Sequence, residues 1–277
     1  MSGSLLLGVI LSVLISATGY WRRSLTVGGA LGAILIGSLV FGLGGWTWGL
    51  VLITFFISSS WLSHYRRADK EAAADKFAKG SRRDLGQVLA NGGLGAALAI
   101  AYARHPDPLL LAAFVGVMST VTADTWATEL GVLSRTPPRL ITTGQPIEPG
   151  TSGGVTSLGL WASVAGALLI GTTATALEQA ASLLKGHGWS MEAVALSLVG
   201  LVGGLLGSLT DSLLGATIQG VYYCDVCGQE TESVVHRCGR PARPLRGWAW
   251  LNNDLVNLAA SLAGGVIAAA VAWLLWR

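Results

Sequence analysis

The sequence predicts an all-α, polytopic transmembrane helical bundle of about eight spans, with a small Cys-rich cytoplasmic loop between the last two. Three observations predict it. Of 277 residues, 12% are charged and 52% hydrophobic, whereas a soluble domain carries about 25% charged residues. The apolar residues fall in runs that approach the ~20 residues a helix needs to cross a bilayer, and they lack the strict alternation of outer-membrane strands. Glycine occurs 38 times, as suits helices that pack closely in lipid.

The expected spans run from Leu5 to Thr18, Leu25 to Leu43, Trp46 to Leu62, Leu85 to Tyr102, Leu109 to Thr122, Val155 to Ala176, Met191 to Leu214 and Leu255 to Trp276. No charged segment precedes the first run, and Arg22-Arg23 follows it. It therefore reads as an anchor with the amino terminus outside, not as a cleaved signal. Trp21, Trp46, Trp48, Trp61, Trp273 and Trp276 stand near span ends, where aromatic rings favour the headgroup region.

With eight alternating spans, only Arg104, Lys185 and Arg277 among the cations fall on one side. The other side collects the rest and is expected to be cytoplasmic, in a cytoplasmic (inner) membrane. The whole chain, 1–277, reads as a single membrane domain with an insertion at 222–247.

Acids inside apolar spans are costly and mark sites by default. Asp124, Glu129, Asp211 and Asp254 are embedded in or abut such spans, all towards the cytoplasmic ends. Gln87, Asn91, Asn253 and Asn257 fall at the same level, with the cationic stretch Lys79 to Asp84 beside them. Carboxylates and Asn oxygens are the hard ligands that Mg²⁺ takes, together with water and phosphate oxygens. Lys79, Arg82, Arg83 and Arg139 suit phosphate oxygens. The loop Gly150-Thr-Ser-Gly-Gly-Val-Thr156 opens a span, where backbone N–H groups and the helix dipole favour an anion. The Gly-Thr-Ser-Gly-Gly run also reads as a plain helix entry with an N-cap.

All three cysteines lie in one stretch, as Cys224-x2-Cys227-x8-His236-x-Cys238. The first pair has knuckle spacing, the Gly after Cys227 permits a tight turn, and His236 with Cys238 completes a tetrahedral N/S set. In a reducing cytoplasmic loop these thiols favour a structural Zn²⁺ over a disulfide. A closed four-ligand site leaves no position for chemistry, so its expected task is to fold the loop and position Trp248 to Asp254.

Several ordered blocks carry a family resemblance. They are Lys79-Gly-Ser81-Arg82-Arg83-Asp84 with Gln87-Val-Leu-Ala-Asn91-Gly; Ala123-Asp124-Thr-Trp-Ala-Thr-Glu129-Leu-Gly131; Pro138-Arg139-Leu-Ile-Thr142; Gly150-Thr151-Ser152-Gly153-Gly154-Val-Thr156; Gly207-Ser-Leu-Thr-Asp211-Ser212-Leu-Leu-Gly215; and Asn252-Asn253-Asp254-Leu-Val-Asn257. Together they resemble the integral membrane family once labelled domain of unknown function 92, whose members include plant phytyl-phosphate kinase. The resemblance spans about Lys79 to Asn257 and leaves out the first three spans and the Cys-rich loop. Where relatives carry Asp-Asn-Asn before the last span, this chain reads Asn252-Asn253-Asp254.

The resemblance implies an Mg²⁺-dependent kinase. It would move a phosphoryl group from a nucleoside triphosphate, typically CTP, to an isoprenoid monophosphate in the membrane lipids. In that scheme Asp124, Glu129 and Asp211 hold Mg²⁺, while Arg82, Arg83 and the 150–156 loop neutralise charge. Asn91, Asn253 and Asn257 orient phosphate or water, and Lys79, Ser81, Gln87, Arg139, Thr142, Thr151, Ser152, Gly153, Gly154, Thr156, Ser212 and Asp254 bind substrate or nucleotide. Read without the resemblance, the same residues also admit a cytidylyl- or alcohol-phosphotransferase, or a cation- or proton-coupled transporter or lipid flippase. A net charge of +3, explained by topology, predicts no nucleic-acid partner, and the small residues leave room for an oligomer.

Overall fold

The computed structural model describes residues 2–74 and 82–277, and the side chains within these from 5–70 and 82–277. Lys79 and Ser81 lie outside the described residues. Among those described, the chain forms helices α1 (Ser2–Trp21), α2 (Val27–Gly44), α3 (Trp46–His64), α4 (Arg67–Ala74), α5 (Leu85–Arg104), α6 (Pro108–Gly131), α7 (Ser157–Leu184), α8 (Met191–Thr217) and α9 (Asn253–Leu275). Seven of them, α2, α3 and α5 to α9, are long and apolar enough to cross a membrane, and apolar α1 is the shorter eighth. The bundle is therefore a helical membrane fold, and α4 is a short polar helix outside the expected spans.

Local chemistry sets the helix starts. Thr26, Thr156 and Ser190 each accept a hydrogen bond from the backbone N–H three residues on, which satisfies an otherwise orphaned donor. Asp84 and Gln87 form a reciprocal capping box at α5, and Asp107 caps α6 with Pro108 in its first turn. Helix α6 is longer than its predicted span by about two turns, because Asp124 to Gly131 continue it.

Helix α6 is the centre of the bundle. Its stretch from Phe114 to Ala123 is buried throughout, and it packs against α3, α5, α7, α8 and α9. Small residues make those contacts close. A Cβ on Gly207 would stand 2.2 Å from Thr120 Oγ1, so α8 approaches α6 at a distance only glycine allows. Thr120 Oγ1 also donates to Gly116 O at 2.9 Å and reaches Gly203 O at 3.2 Å.

The long connections all meet at one end. Leu25, just before α2, bridges to Arg83, just before α5, and His64 Nε2 lies 3.2 Å from Arg22 O. The α6–α7 connection folds into a two-stranded antiparallel ladder, β1 (Arg139–Leu140) with β2 (Gly154–Val155). The α8–α9 connection forms a three-stranded sheet ordered β4 (Gln229–Thr231), β3 (Val221–Cys224), β5 (Arg243–Arg246). These strands were not foreseen, since runs of two to four residues carry no usable periodicity.

Candidate functional site

Parallel register of α6 and α8 brings two distant acids to one level. Thr120 meets Gly207, and Ser163 Oγ of α7 lies 3.3 Å from both Ala123 O and Ser208 Oγ. Asp124 is one turn beyond Thr120, and Asp211 one turn beyond Gly207, so each acid keeps its neighbour's helix face. The two carboxylates lie within electrostatic reach of one another and of a third, Glu232. Asp211 Oδ2 is buried and has no hydrogen-bond partner among the described residues.

Glu232 comes from the extramembrane sheet and follows β4. It accepts from Gln219 Nε2 at 2.8 Å, and Gln219 Oε1 accepts from Ser152 Oγ at 2.9 Å. Arg246 of β5 completes the tie, donating to Gly215 O at 2.7 Å and Ser152 O at 3.0 Å. Partial burial lowers its pKa from the ordinary Arg value, opposed by Glu230 and Glu232. The sheet, the 150–156 loop and the end of α8 are thereby one unit.

That loop is not an open anion cradle throughout. Thr151 N–H donates to Glu148 O and Gly154 N–H to Thr151 O, and Thr156 is occupied as the cap of α7. Gly153 takes φ +84°, and a Cβ there would stand 2.5 Å from the Ala216 backbone. It is the residue that lets the loop lie against α8.

Glu129 goes elsewhere. Five residues past Asp124, it is turned about 140° around α6 and accepts from Ser63 Oγ at 2.6 Å and Lys70 Nζ at 2.7 Å. The expected trio of Asp124, Glu129 and Asp211 is thus divided: two acids face α8 and the sheet, and the third faces α3 and α4. Lys70, itself buried, also donates to Leu62 O at 2.7 Å.

Near Glu129 sits Arg83, only 9% exposed. Burial lowers its pKa from the ordinary Arg value, and Glu129 opposes that shift; the guanidinium stays charged. Its side chain makes one hydrogen bond among the described residues, to Ser60 Oγ at 2.9 Å, and lies over the rings of Phe55 and Phe56. With Gln87 and Asn91 it lines a cavity between α1, α2, α3 and α5. Arg82 is exposed and donates to Leu25 O.

The other sequence candidates are more scattered. Arg139 and Thr142 are exposed, and Arg139 donates to Gly144 O. Ser212, Asn253, Asp254 and Asn257 are half-buried at the loop-rich ends of α8 and α9. Glu232, Gln219, Arg246 and Lys70 were not singled out from the sequence, because each sits in a stretch that reads as solvated. The one available signal was the two-residue spacing of Glu230 and Glu232, which puts them on one face of an extended segment.

The Cys/His unit is compact. Ligand atoms of Cys224, Cys227, His236 and Cys238 all lie within 4.8 Å of one another. Cys224 Sγ and Cys238 Sγ are 3.7 Å apart and His236 Nδ1 is 3.2 Å from Cys238 Sγ, whereas a tetrahedron of ~2.3 Å zinc–sulfur bonds has edges of about 3.8 Å. Each ligand pair turns on a glycine at positive φ, Gly228 (+66°) after Cys227 and Gly239 (+79°) after Cys238. The residues fit Zn²⁺.

The family described as integral membrane protein DUF92 matches residues 10–265. The chain is similar to Protein PGR of Arabidopsis thaliana, 32% identical over 272 residues that cover 93% of this chain and 92% of the relative. It is also similar to the membrane protein MJ0933 of Methanocaldococcus jannaschii, 31% identical over 264 residues (95% and 91% covered). A third relative is the membrane protein sll0875 of Synechocystis, 26% identical over 250 residues (89% and 82%). No solved structure matches.

Proposed function

Because this chain belongs to the DUF92 family of integral membrane proteins, we propose that it is an isoprenoid-phosphate kinase. It takes a phosphoryl group from a nucleoside triphosphate, with CTP the first candidate, to an isoprenoid monophosphate, giving the diphosphate. The observation that supports this reading is that Asp124, Asp211 and Glu232 lie within electrostatic reach of one another at the end of the bundle where the long loops gather. Carboxylates so placed suit a divalent cation, and the buried Asp211 Oδ2, with no hydrogen-bond partner among the described residues, offers it an oxygen. Asp124, Asp211 and Glu232 would hold Mg²⁺; when bound it supplies charge neutralisation on the nucleotide phosphates.

The chain's own groups do the rest. An oxygen of the lipid monophosphate attacks the terminal phosphorus of the nucleotide, the bond to the bridging oxygen breaks, and the nucleoside diphosphate leaves. The attacking oxygen is already anionic near neutral pH, so no general base is required and positioning with electrostatics suffices. Arg83 and Arg82 neutralise the acceptor phosphate, and Arg246 holds the 150–156 loop against α8. The lipid arrives from the bilayer and the nucleotide from the cytosol, so the loop-rich end is read as cytoplasmic, in an inner membrane with the amino terminus outside. The Cys/His unit, loaded with Zn²⁺, holds Glu232 in place.

The test is incubation of purified protein with CTP or ATP, Mg²⁺, and phytyl, farnesyl or geranylgeranyl monophosphate. Formation of the diphosphate in wild type, lost in D124N and D211N, supports the kinase. Absence of product with every pair rejects it.

A further inference from the structure

The cavity lined by Arg83 runs between α1, α2, α3 and α5; about 80 Å³ of it is open to the centre of a water-sized molecule, several times the ~10–15 Å³ that one water needs, and its mouth is open, so a longer occupant can extend out of it. Its walls are mostly apolar, for example Ile15 of α1, Ala33 of α2 and Leu52 of α3. Along α2 the lining extends from Ala33 to Phe41, more than two turns. The polar groups contributed by α5 and the segment before it, Arg83, Gln87 and Asn91, all belong to the loop-rich end. The cavity is thus amphipathic along its length.

Arg83 is the anomaly that names the occupant. A guanidinium has five N–H donors, yet this one, more than nine-tenths buried, makes one side-chain hydrogen bond among the described residues. Glu129 acts on it electrostatically, but Glu129 spends its oxygens on Ser63 and Lys70. A buried cation short of acceptors at the end of an apolar cavity is costly when empty. An anion with a hydrocarbon tail satisfies both features at once.

We propose that this cavity seats a single-chain lipid phosphate monoester, the chain lying between α1, α2 and α3 and the phosphate on Arg83, with Gln87 and Asn91 beside it. The identity of the headgroup rests on the kinase reading above; the binding itself does not require turnover. Two planar donors of Arg83 suit two phosphate oxygens, and helices α1 and α2 acquire a role beyond anchoring.

The experiment is equilibrium binding of radiolabelled farnesyl monophosphate to full-length protein in nanodiscs, without nucleotide or Mg²⁺. Wild type and D211N should bind alike. R83Q should weaken binding roughly ten- to a hundredfold, the range for a lost charge-assisted hydrogen bond, with R83K recovering part of it. Ala33→Phe, which narrows the cavity from the α2 wall and leaves the Arg83 side chain in place, should abolish binding at a melting temperature close to that of wild type, and decides the matter should R83Q not fold. Wild-type binding by both R83Q and Ala33→Phe overturns the proposal, as does farnesol or inorganic phosphate competing as well as farnesyl monophosphate. Binding in this pattern with no diphosphate formed from any nucleotide keeps the seat and rejects the kinase.

Discussion

Asp211 and Glu232 are acids held together by packing, and each bears on stability and activity in opposite senses. Replacing Asp211 by Asn removes a buried carboxyl group whose Oδ2 has no hydrogen-bond partner among the described residues, so metal-free D211N should melt no lower than wild type, while diphosphate formation falls roughly a hundredfold or more. E232Q should follow the same pattern in thermal melts and product assays; full activity in E232Q would show that Glu232 merely lies nearby. Gly153 gives the contrary case of a residue needed for its backbone. Adding a methyl at φ +84° and against Ala216 should destabilise the protein by about 1–3 kcal/mol, read as a lower melting temperature for G153A. The glycine was visible as one of a loop's three; that Gly153 packs against Ala216 was not, because the contact joins residues 63 apart.

At the scale of elements, the sheet β3–β4–β5 is a small unit without much core, so a metal should fold it. Purified protein is expected to carry a single equivalent of zinc, measured by elemental analysis. Chelation, or Cys227→Ser, should speed amide exchange in β3 to β5 and in the segment around Glu232, while α6 and α8 keep their protection. Exchange in the sheet that is indifferent to chelation would remove zinc from the account. The first knuckle could be read from two cysteines and a glycine, because such turns depend on near neighbours. The sheet's second task, delivering Glu232, Gln219 and Arg246 to the membrane helices, depends on where β3 to β5 sit over α8.

For the whole molecule, the parity of eight spans puts the α3–α5, α6–α7 and α8–α9 connections on a common side, and the contacts between the last two agree with it: Ser152 with Gln219 and with Arg246. Trypsin added to inverted inner-membrane vesicles should therefore cut after Arg135, Arg139, Arg237 and Arg240, and spare these sites in right-side-out vesicles. Cleavage of one loop from each side would break the proposed topology, and with it the cytosolic supply of nucleotide.

Sequence alone determined which segments form the long apolar helices, where most of them begin, and which four side chains gather as a Cys/His set. Those properties depend on runs, caps and turns within some twenty consecutive residues, and bilayer thickness selects them one segment at a time. Tertiary structure decided which acids keep company. Glu129 went to Lys70 and Ser63 and Glu232 came to Asp124 and Asp211, because five residues along α6 turn a side chain to a different neighbour and a glycine path along α8 sets how close that neighbour comes. The cavity ending at Arg83 belongs to the same class: it is empty space bounded by four helices, and no one stretch of chain contains it.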